Sequence, residues 1–442
     1  MLLFVTSLSL SFSLSLSSLT SYALPTRLPQ KEASGIPMED VQRFSNAIAQ
    51  IKQYYVKPIS DKELFDNAIR GMLAGLDPHS NYLNEAEFTE LQMVTSGEFG
   101  GLGIEVTMED GLIKVITPLI GAPAIKAGIK SGDYIVKIDS HAVQGIDLKQ
   151  AVDLMRGKIG EPVTLTVLRK HEKKPLVFKL VRENIQIKSV STKLLNHKYG
   201  YIRLAQFQAL TAKDMLSSIE ALKREAKGEL KGLVLDLRNN PGGLLESAIE
   251  VADAFIDKKP GATKEDLIVY TEGRLPGSRF TAVANPGDVL KNAPMVVLIN
   301  NGSASASEIV AGALKDHKRA VIIGQPSFGK GSVQTVLPLD SKSGIKLTTA
   351  LYYTPSGVSI QAQGIKPDIA VAEISVPKKQ KENPLAGFSE ADLHGHLKNN
   401  KQEVAIKSTN KKEKLDEQAL LYDDYQLYAA LTILKSLALV RH

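Results

Sequence analysis

Cysteine is absent from all 442 residues, which removes disulfides, thiolate nucleophiles and cysteine-ligated metals at once. The absence also suits an oxidising compartment, where a free thiol is a liability. Histidine is scarce: there are eight, and none sits in a loop after a strand of the block, residues 185–375, that carries the chemistry below. His317 falls just past a helix, where it suits the helix dipole better than catalysis. No G-x-S-x-G elbow occurs, so a Ser-His-Asp hydrolase is not expected. Charge of one sign is not concentrated either. The net +6 is spread along the chain except for a lysine-heavy tail, so nucleic acid is not an expected partner. Past residue 23 no apolar run is long enough to cross a bilayer.

The length allows two or three domains, each with its own core. A hydrophobic content of 43% and a charged content of 23% are ordinary for a globular protein. The first 23 residues carry no charge and run from Leu2-Leu3-Phe4-Val5 into a leucine/serine alternation ending in Ser21-Tyr22-Ala23. This reads as a secretory signal peptide with small residues at the cleavage site, so the protein is expected to be exported, to the periplasm or another extracytoplasmic space. The basic region that should precede such a segment is missing, which puts the natural start further upstream. An uncleaved anchor, with membrane association, is the alternative.

Residues 38–97 read as an N-terminal helical subdomain, more structural than chemical. Val41, Phe44, Ile48, Ile51 and Tyr55 share a helical face, and Asp61 caps a second helix that Gly75 ends. From 98 to 184 short β-runs with one helix, Leu148–Met155, match a PDZ-like peptide-binding domain. Its Gly101-Leu102-Gly103-Ile104 would turn backbone N–H groups onto a peptide carboxylate and then pair with the peptide as a strand. Arg156, after that helix, either relays a ligand signal or is a solvated arginine. Residues 185–375 alternate apolar strands (Leu233–Leu237, Val296–Ile299, Ala320–Ile323) with helices, which predicts parallel strands with crossover connections. Function should then collect beyond the strands' carboxyl ends. Gln206–Ala209 is expected to line the path to the site. Residues 376–417 read as a lysine-rich solvated linker. The apolar helix expected over 418–442 needs a surface to dock on, either the N-terminal helices or another subunit.

Two stretches carry the chemistry: Asn301-Gly302-Ser303-Ala304-Ser305-Ala306-Ser307-Glu308 and Phe328-Gly329-Lys330-Gly331-Ser332-Val333-Gln334. Three serines compete for the role of nucleophile. Ser305 with Glu308 fits a capping box, and a helix N-terminus also offers free N–H groups to an oxyanion. Lys330 is the candidate base. A free lysine is neutral in only about one molecule in 2,500 at neutral pH; burial beside Phe328 and Val333 would favour the neutral amine. Gln334, at even spacing in an extended segment, can share its face and orient it. Gly324–Lys330 spells most of a phosphate-binding P-loop, but Gly331 stands where Ser or Thr is required and a strand follows, so no nucleotide site is expected.

Taken together, residues 38–375 resemble the carboxyl-terminal processing peptidases, or tail-specific proteases. The resemblance rests on Leu76-Asp77-Pro78-His79-Ser80, Gly97–Ile104, Asp236–Gly243, Ser303–Glu308 and Phe328–Gln334. It implies an α/β multidomain protein: a crotonase/Clp-protease-like α/β core with an inserted PDZ-like domain and N- and C-terminal helical segments. It also implies Ser305 as nucleophile, Lys330 as general base and Gln334 as its orienting partner. The oxyanion hole would be the N–H of Ala306 plus that of Gly242 or Gly243. No metal or other cofactor is implied. The expected partners are proteins or peptides with unstructured C-termini. A homo-oligomer through the N- and C-terminal helices and a regulatory adaptor stay open. The rival readings are a catalytically silent peptide-binding adaptor and a crotonase-like acyl-CoA enzyme.

Overall fold

Apolar residues at three- and four-residue spacing make α1 (Met38–Tyr54), and acidic residues in its first turn favour α2 (Asp61–Ala74). The computed structural model describes residues 35–119, 121–258, 266–377, 394 and 411–440. The leader expected over 1–23 and most of the linker expected over 376–417 lie outside the described residues. The chain divides into one compact unit up to Ala68 and a second from Ile69 onward. In the first, Phe44 and Phe65 rings lie 6.4 Å apart, and Lys52 pairs with Asp61 at 2.5 Å. The second unit opens with the end of α2, β1 (Asn81–Leu83) and α3 (Glu85–Ser96). Asn84 and Glu87 form a reciprocal capping box at the start of α3, and Gly97 closes it in a left-handed conformation. The helical subdomain expected over 38–97 is thus divided, and its later part is built into the second unit.

The module expected to be PDZ-like enters through β2 (Glu98–Gly101) and continues as β3 (Ile104–Glu109), β4 (Leu112–Pro118), α4 (Pro123–Ala127), β5 (Tyr134–Ile138), β6 (His141–Ala142), α5 (Leu148–Met155), β7 (Pro162–Leu168) and β8 (Leu176–Val181). It leaves through β9 (Glu183–Gln186), which pairs antiparallel with β2, so entry and exit lie side by side. Its sheet runs β3-β4-β5-β7-β8, with β6 beside β5. Among the described residues β3 is therefore an edge strand with one side unpaired. The module has its own core of Ile113, Val115, Ile135, Ala151, Leu165 and neighbours. Buried Asp133 is held by Arg169 at 2.7 Å, so the Gly132-Asp133 turn is structural.

The next block comprises β10 (Val190–Leu195), β11 (Tyr199–Leu204), α6 (Thr211–Ala226), β12 (Gly232–Asp236), α7 (Leu245–Asp253), β13 (Leu267–Gly273), β14 (Thr281–Val283), β15 (Met295–Ile299), α8 (Ala306–Asp316), β16 (Val321–Gly324), β17 (Ser332–Pro338), β18 (Gly344–Tyr353) and β19 (Ile369–Ala370). The main sheet runs β10-β11-β12-β15-β16-β19, with every pair from β11 to β19 parallel. β12 and β15 are buried at every position, as a sheet covered on both faces requires. Alternate side chains go to different layers. Leu233, Leu235, Val297 and Ile299 face the large core formed with α6, α7 and α8, whereas Val234, Val296 and Leu298 face the other side.

That other side is covered by the C-terminal helices, α9 (Lys411–Asp423) and α10 (Tyr425–Val440). Leu427, Leu431 and Leu434 of α10 pack on Val234, Val296 and Ile323. The C-terminal helix thus docks on the core sheet of its own chain, where the sequence offered the N-terminal helices or another subunit. Asp424 divides the helices: its carboxylate accepts from Leu427 N at 3.0 Å and from the Arg238 guanidinium at 2.7 and 2.9 Å. Arg238 also grips fully buried Asp236 at 2.6 Å. The second sheet runs β1-β18-β13-β14, with β17 also paired to β18. It carries the segment after Lys330.

Candidate active site

The carboxyl ends of β12 and β15 deliver two loops to the same place. Asn300 ties them together: its Oδ1 accepts from Asn239 N at 2.9 Å, and its Nδ2 donates to Asn239 Oδ1 at 3.0 Å. Two of the three candidate serines are spent on this join. Ser303, fully buried, donates to Leu237 O at 2.8 Å, and Ser307, also fully buried, donates to Asn240 O at 2.9 Å. Only Ser305 of the three lines the cleft above the loops, a cavity of about 550 Å³. Local sequence logic had left these serines equivalent; burial separates them.

Ser305 has φ +55° and ψ −113°, outside the conformations an L residue prefers, at a cost of roughly 1–3 kcal/mol. Glu308 helps to hold it. This buried carboxylate accepts from Ser305 N at 2.7 Å and Lys330 N at 2.9 Å through Oε2, and from Gly329 N at 2.7 Å and the Ser327 hydroxyl at 2.6 Å through Oε1. One side chain thereby fixes the backbones of both the serine and the lysine. The Ser305 hydroxyl is hydrogen-bonded to Tyr352 at 2.6 Å. Burial, aided by the charge of Glu308 and opposed by the bond to Ser305, pushes the Tyr352 phenol up to about 12, so it stays protonated and is no base at neutral pH.

Lys330 lines the same cleft, half-buried. Burial first and the Lys346 ammonium second lower its pKa below the ordinary lysine value, while Glu308 and Asp77 pull the other way. Its ammonium makes no ion pair among the described residues. Nor does a hydrogen bond join it to Ser305 in this conformer, in which the serine is turned to Tyr352. Phe328 does not supply the apolar cover expected of it, being 63% exposed. Gln334 also lines the cleft, but its amide donates to Ser332 Oγ at 2.9 Å and Thr348 Oγ1 at 3.3 Å. The even-spacing expectation meets a physical obstacle: β17 begins only at Ser332, and its register shifts between Val333 and Gln334.

Of the N–H groups expected to face an oxyanion, that of Gly242 donates to Asn240 Oδ1 at 2.9 Å. Those of Gly243 and Ala306 have no acceptor among the described residues, and both residues line the cleft. The turn requires glycine: a Cβ on Gly242 would lie 2.8 Å from Ser305 Cβ, and one on Gly243 2.0 Å from Phe207 O. Gln206 lines the cleft as expected of the 206–209 segment.

With this geometry in hand, known proteins supply the lineage. Residues 198–371 match peptidase family S41, residues 100–180 the PDZ domain, and residues 14–87 the N-terminal domain of the activating protease CtpB. The chain is 48% identical over 361 residues to the carboxy-terminal-processing protease of Bartonella bacilliformis, covering 81% of each chain. It is 37% identical over 328 residues to the carboxy-terminal processing protease CtpA of Bacillus subtilis, covering 74% of this chain and 68% of that one. Among solved structures, it is similar to the photosystem II D1 C-terminal processing protease at 31% identity, covering 76% and 91% of the two chains with a TM-score of 0.43. The chain belongs to the carboxy-terminal processing proteases of family S41. It is a serine-type protease with a PDZ domain.

In this carboxy-terminal processing protease the Gly101–Ile104 segment is the turn that leads from β2 into β3 of the PDZ domain. Leu102 is buried in the module's core, and Gly103 takes φ +66°. The carbonyls of Leu102 and Gly103 are engaged by Ala124 N and Leu119 N, while their own N–H groups have no acceptor among the described residues. Ile104 then opens the free-edged β3. Arg156 is not simply solvated: its guanidinium lies over the Phe99 ring at 4.7 Å.

The sequence assigns no role in the site to several of its neighbours. Asp77 accepts from His79 N, Ser80 N, the Ser80 hydroxyl and the Thr348 hydroxyl, fastening the Leu76–Ser80 motif to β18 beside Gln334. His79 is half-buried and held below its usual pKa, first by burial and then by the charge of Lys330. Tyr352 and Lys346, both on β18, had no signal beyond membership of a β-run.

Proposed function

We propose that Ser305 and Lys330 form a catalytic dyad that cleaves exported proteins near their C-termini. The observation that carries this reading is the cleft itself. It holds the one serine of the three that lines it, bonded there to Tyr352 and not to a backbone carbonyl, together with a lysine whose pKa is lowered by burial. The dyad requires the Ser305 hydroxyl to leave Tyr352 and turn to the lysine that lines the same cleft. Its Oγ then attacks the peptide carbonyl carbon while Lys330 Nζ takes the proton. The oxyanion is received by the N–H groups of Ala306 and Gly243. Lys330 returns the proton to the leaving amine, and the C–N bond breaks to give an acyl-serine and a free tail. A water molecule, deprotonated by the neutral lysine, hydrolyses the ester.

The Gly101–Ile104 loop captures the substrate's terminal carboxylate, and β3 extends its sheet with the tail. Gln334 acts on the lysine's surroundings through Thr348 rather than by a direct bond. An extracytoplasmic site of action fits the uncharged leader-like stretch and the lack of cysteine. No described helix is long and apolar enough to cross a membrane. The test is cleavage of a disordered reporter by Ser305→Ala and Lys330→Ala, with folding verified by circular dichroism. Each is expected to abolish turnover. Turnover by both at close to the parent rate refutes the dyad, and tight peptide binding without turnover by the parent favours a silent adaptor.

A further inference from the structure

We propose that Lys346 is a positioning residue for the base: a second cation fixed in the wall of the cleft that Lys330 lines. This inference rests on Lys330 being the base. Lys346 lies on β18, opposite Asn81 of β1 on one side and Val336 of β17 on the other. Paired on both edges, its backbone is fixed. Thr348, two residues on, shares its face and bonds Gln334, which also lines the cleft, and Lys346 lines that same cleft.

The titratable groups that act on Lys330 or line its cleft come from four elements. Glu308 belongs to α8, Asp77 and His79 to the loop before β1, Lys346 and Tyr352 to β18, and Glu246 to the start of α7. Tyr352 and His79 are held toward their neutral forms. Glu308 and Asp77 would hold the lysine charged, and each carboxylate is fully engaged as an acceptor at its present place. Lys346 is the cation set against them. It forms no ion pair among the described residues, whereas nearby Lys342 pairs with Glu85 at 3.0 Å. An unpaired ammonium is what such a role needs, since an ion pair would cancel its field. Cation beside cation is a recognised way to free an amine for chemistry. The lowering of Lys330 has burial as its largest cause and Lys346 next.

The experiment is kcat/KM against pH for the full chain, using a disordered reporter, in Lys346→Arg, Lys346→Met and Lys346→Glu. The rate requires neutral Lys330, so removing a cation moves the acid limb to higher pH. The methionine variant is expected to lose about tenfold at neutral pH and recover as pH rises. Arginine keeps the parent limb, and glutamate moves it further than methionine. Limbs that coincide across the series, or a loss equal at every pH, overturn the inference. Should methionine unfold the chain, the arginine–glutamate pair carries the same comparison. Lys330→Ala, run in parallel, separates the two readings: an inactive alanine variant with coincident limbs leaves the dyad standing and removes only Lys346.

Discussion

Replacing Glu308 by glutamine changes one atom in the carboxylate that fixes both catalytic backbones. Each of its oxygens accepts twice: Oε2 from Ser305 N and Lys330 N, Oε1 from Ser327 Oγ and Gly329 N. Glutamine keeps one oxygen. Its less costly orientation turns the amide nitrogen toward Ser327 and Gly329, because the serine hydroxyl can switch to accepting. The Gly329 N–H then has no acceptor in a buried site, at about 1–3 kcal/mol, and the two bonds kept lose their charge assistance, at roughly 0.5–1 kcal/mol each. The sum is about 3 kcal/mol. For a core of this size, calorimetry should show the transition lowered by roughly 6–12 °C. The pH profile should move the opposite way from Lys346→Met. Glu308 raises the pKa of Lys330, so its neutralisation shifts the acid limb of kcat/KM to lower pH. A variant within about 1 kcal/mol of the parent refutes the bonding argument, and a limb that moves to higher pH refutes the electrostatic one.

Tyr352→Phe removes the present partner of the Ser305 hydroxyl without removing a base, and it should retain cleavage within about tenfold of the parent; complete loss would make the phenol part of the chemistry. At the join of α9 and α10, Arg238→Met leaves buried Asp236 unpaired and should cost about 3–5 kcal/mol, read by denaturant unfolding. Asp424 supplies a pH signature. Burial, the largest single influence, would raise its carboxyl, but the bonds and charge of Arg238, the Leu427 N–H and the charge of Arg203 together hold it below the ordinary value. Its stabilisation is therefore present above that ordinary value and lost as pH falls through the depressed one. The difference in transition temperature between the parent and Asp424→Asn should be present at neutral pH and close as pH falls below about 4; a difference unchanged in acid refutes the pair.

The legible parts of the fold were those with one-dimensional patterns. Leu233–Leu237 and Val296–Ile299 carry apolar residues at every position, and parallel strands covered on both faces are their physical consequence. The glycine-bearing start of the PDZ module and the cap at Ser305 were readable for the same reason: a local conformation demands a local residue type. Contacts between distant segments had no such signature. Nothing near Asp77 points to Thr348, and nothing near Arg238 points to Asp424. Counting places Gln334 on the face of Lys330, and both line the cleft, but the bulge before Gln334 and its bonds to Ser332 and Thr348 are not announced by sequence. Phe328 is expected to supply apolar surroundings for Lys330, yet it is exposed, as apolar residues commonly are. Separating Ser303, Ser305 and Ser307 needed the carbonyls of Leu237 and Asn240, which arrive from another loop.

The outer layer of the core sheet also orders events during synthesis. Translation delivers every strand of that sheet before residues 425–440, so Val234, Val296 and Leu298 emerge long before Leu427, Leu431 and Leu434 can shield them. A nascent chain halted short of its last helix carries a bare, greasy sheet surface. Chaperones that hold apolar segments open should therefore recognise such truncated chains in preference to the finished enzyme.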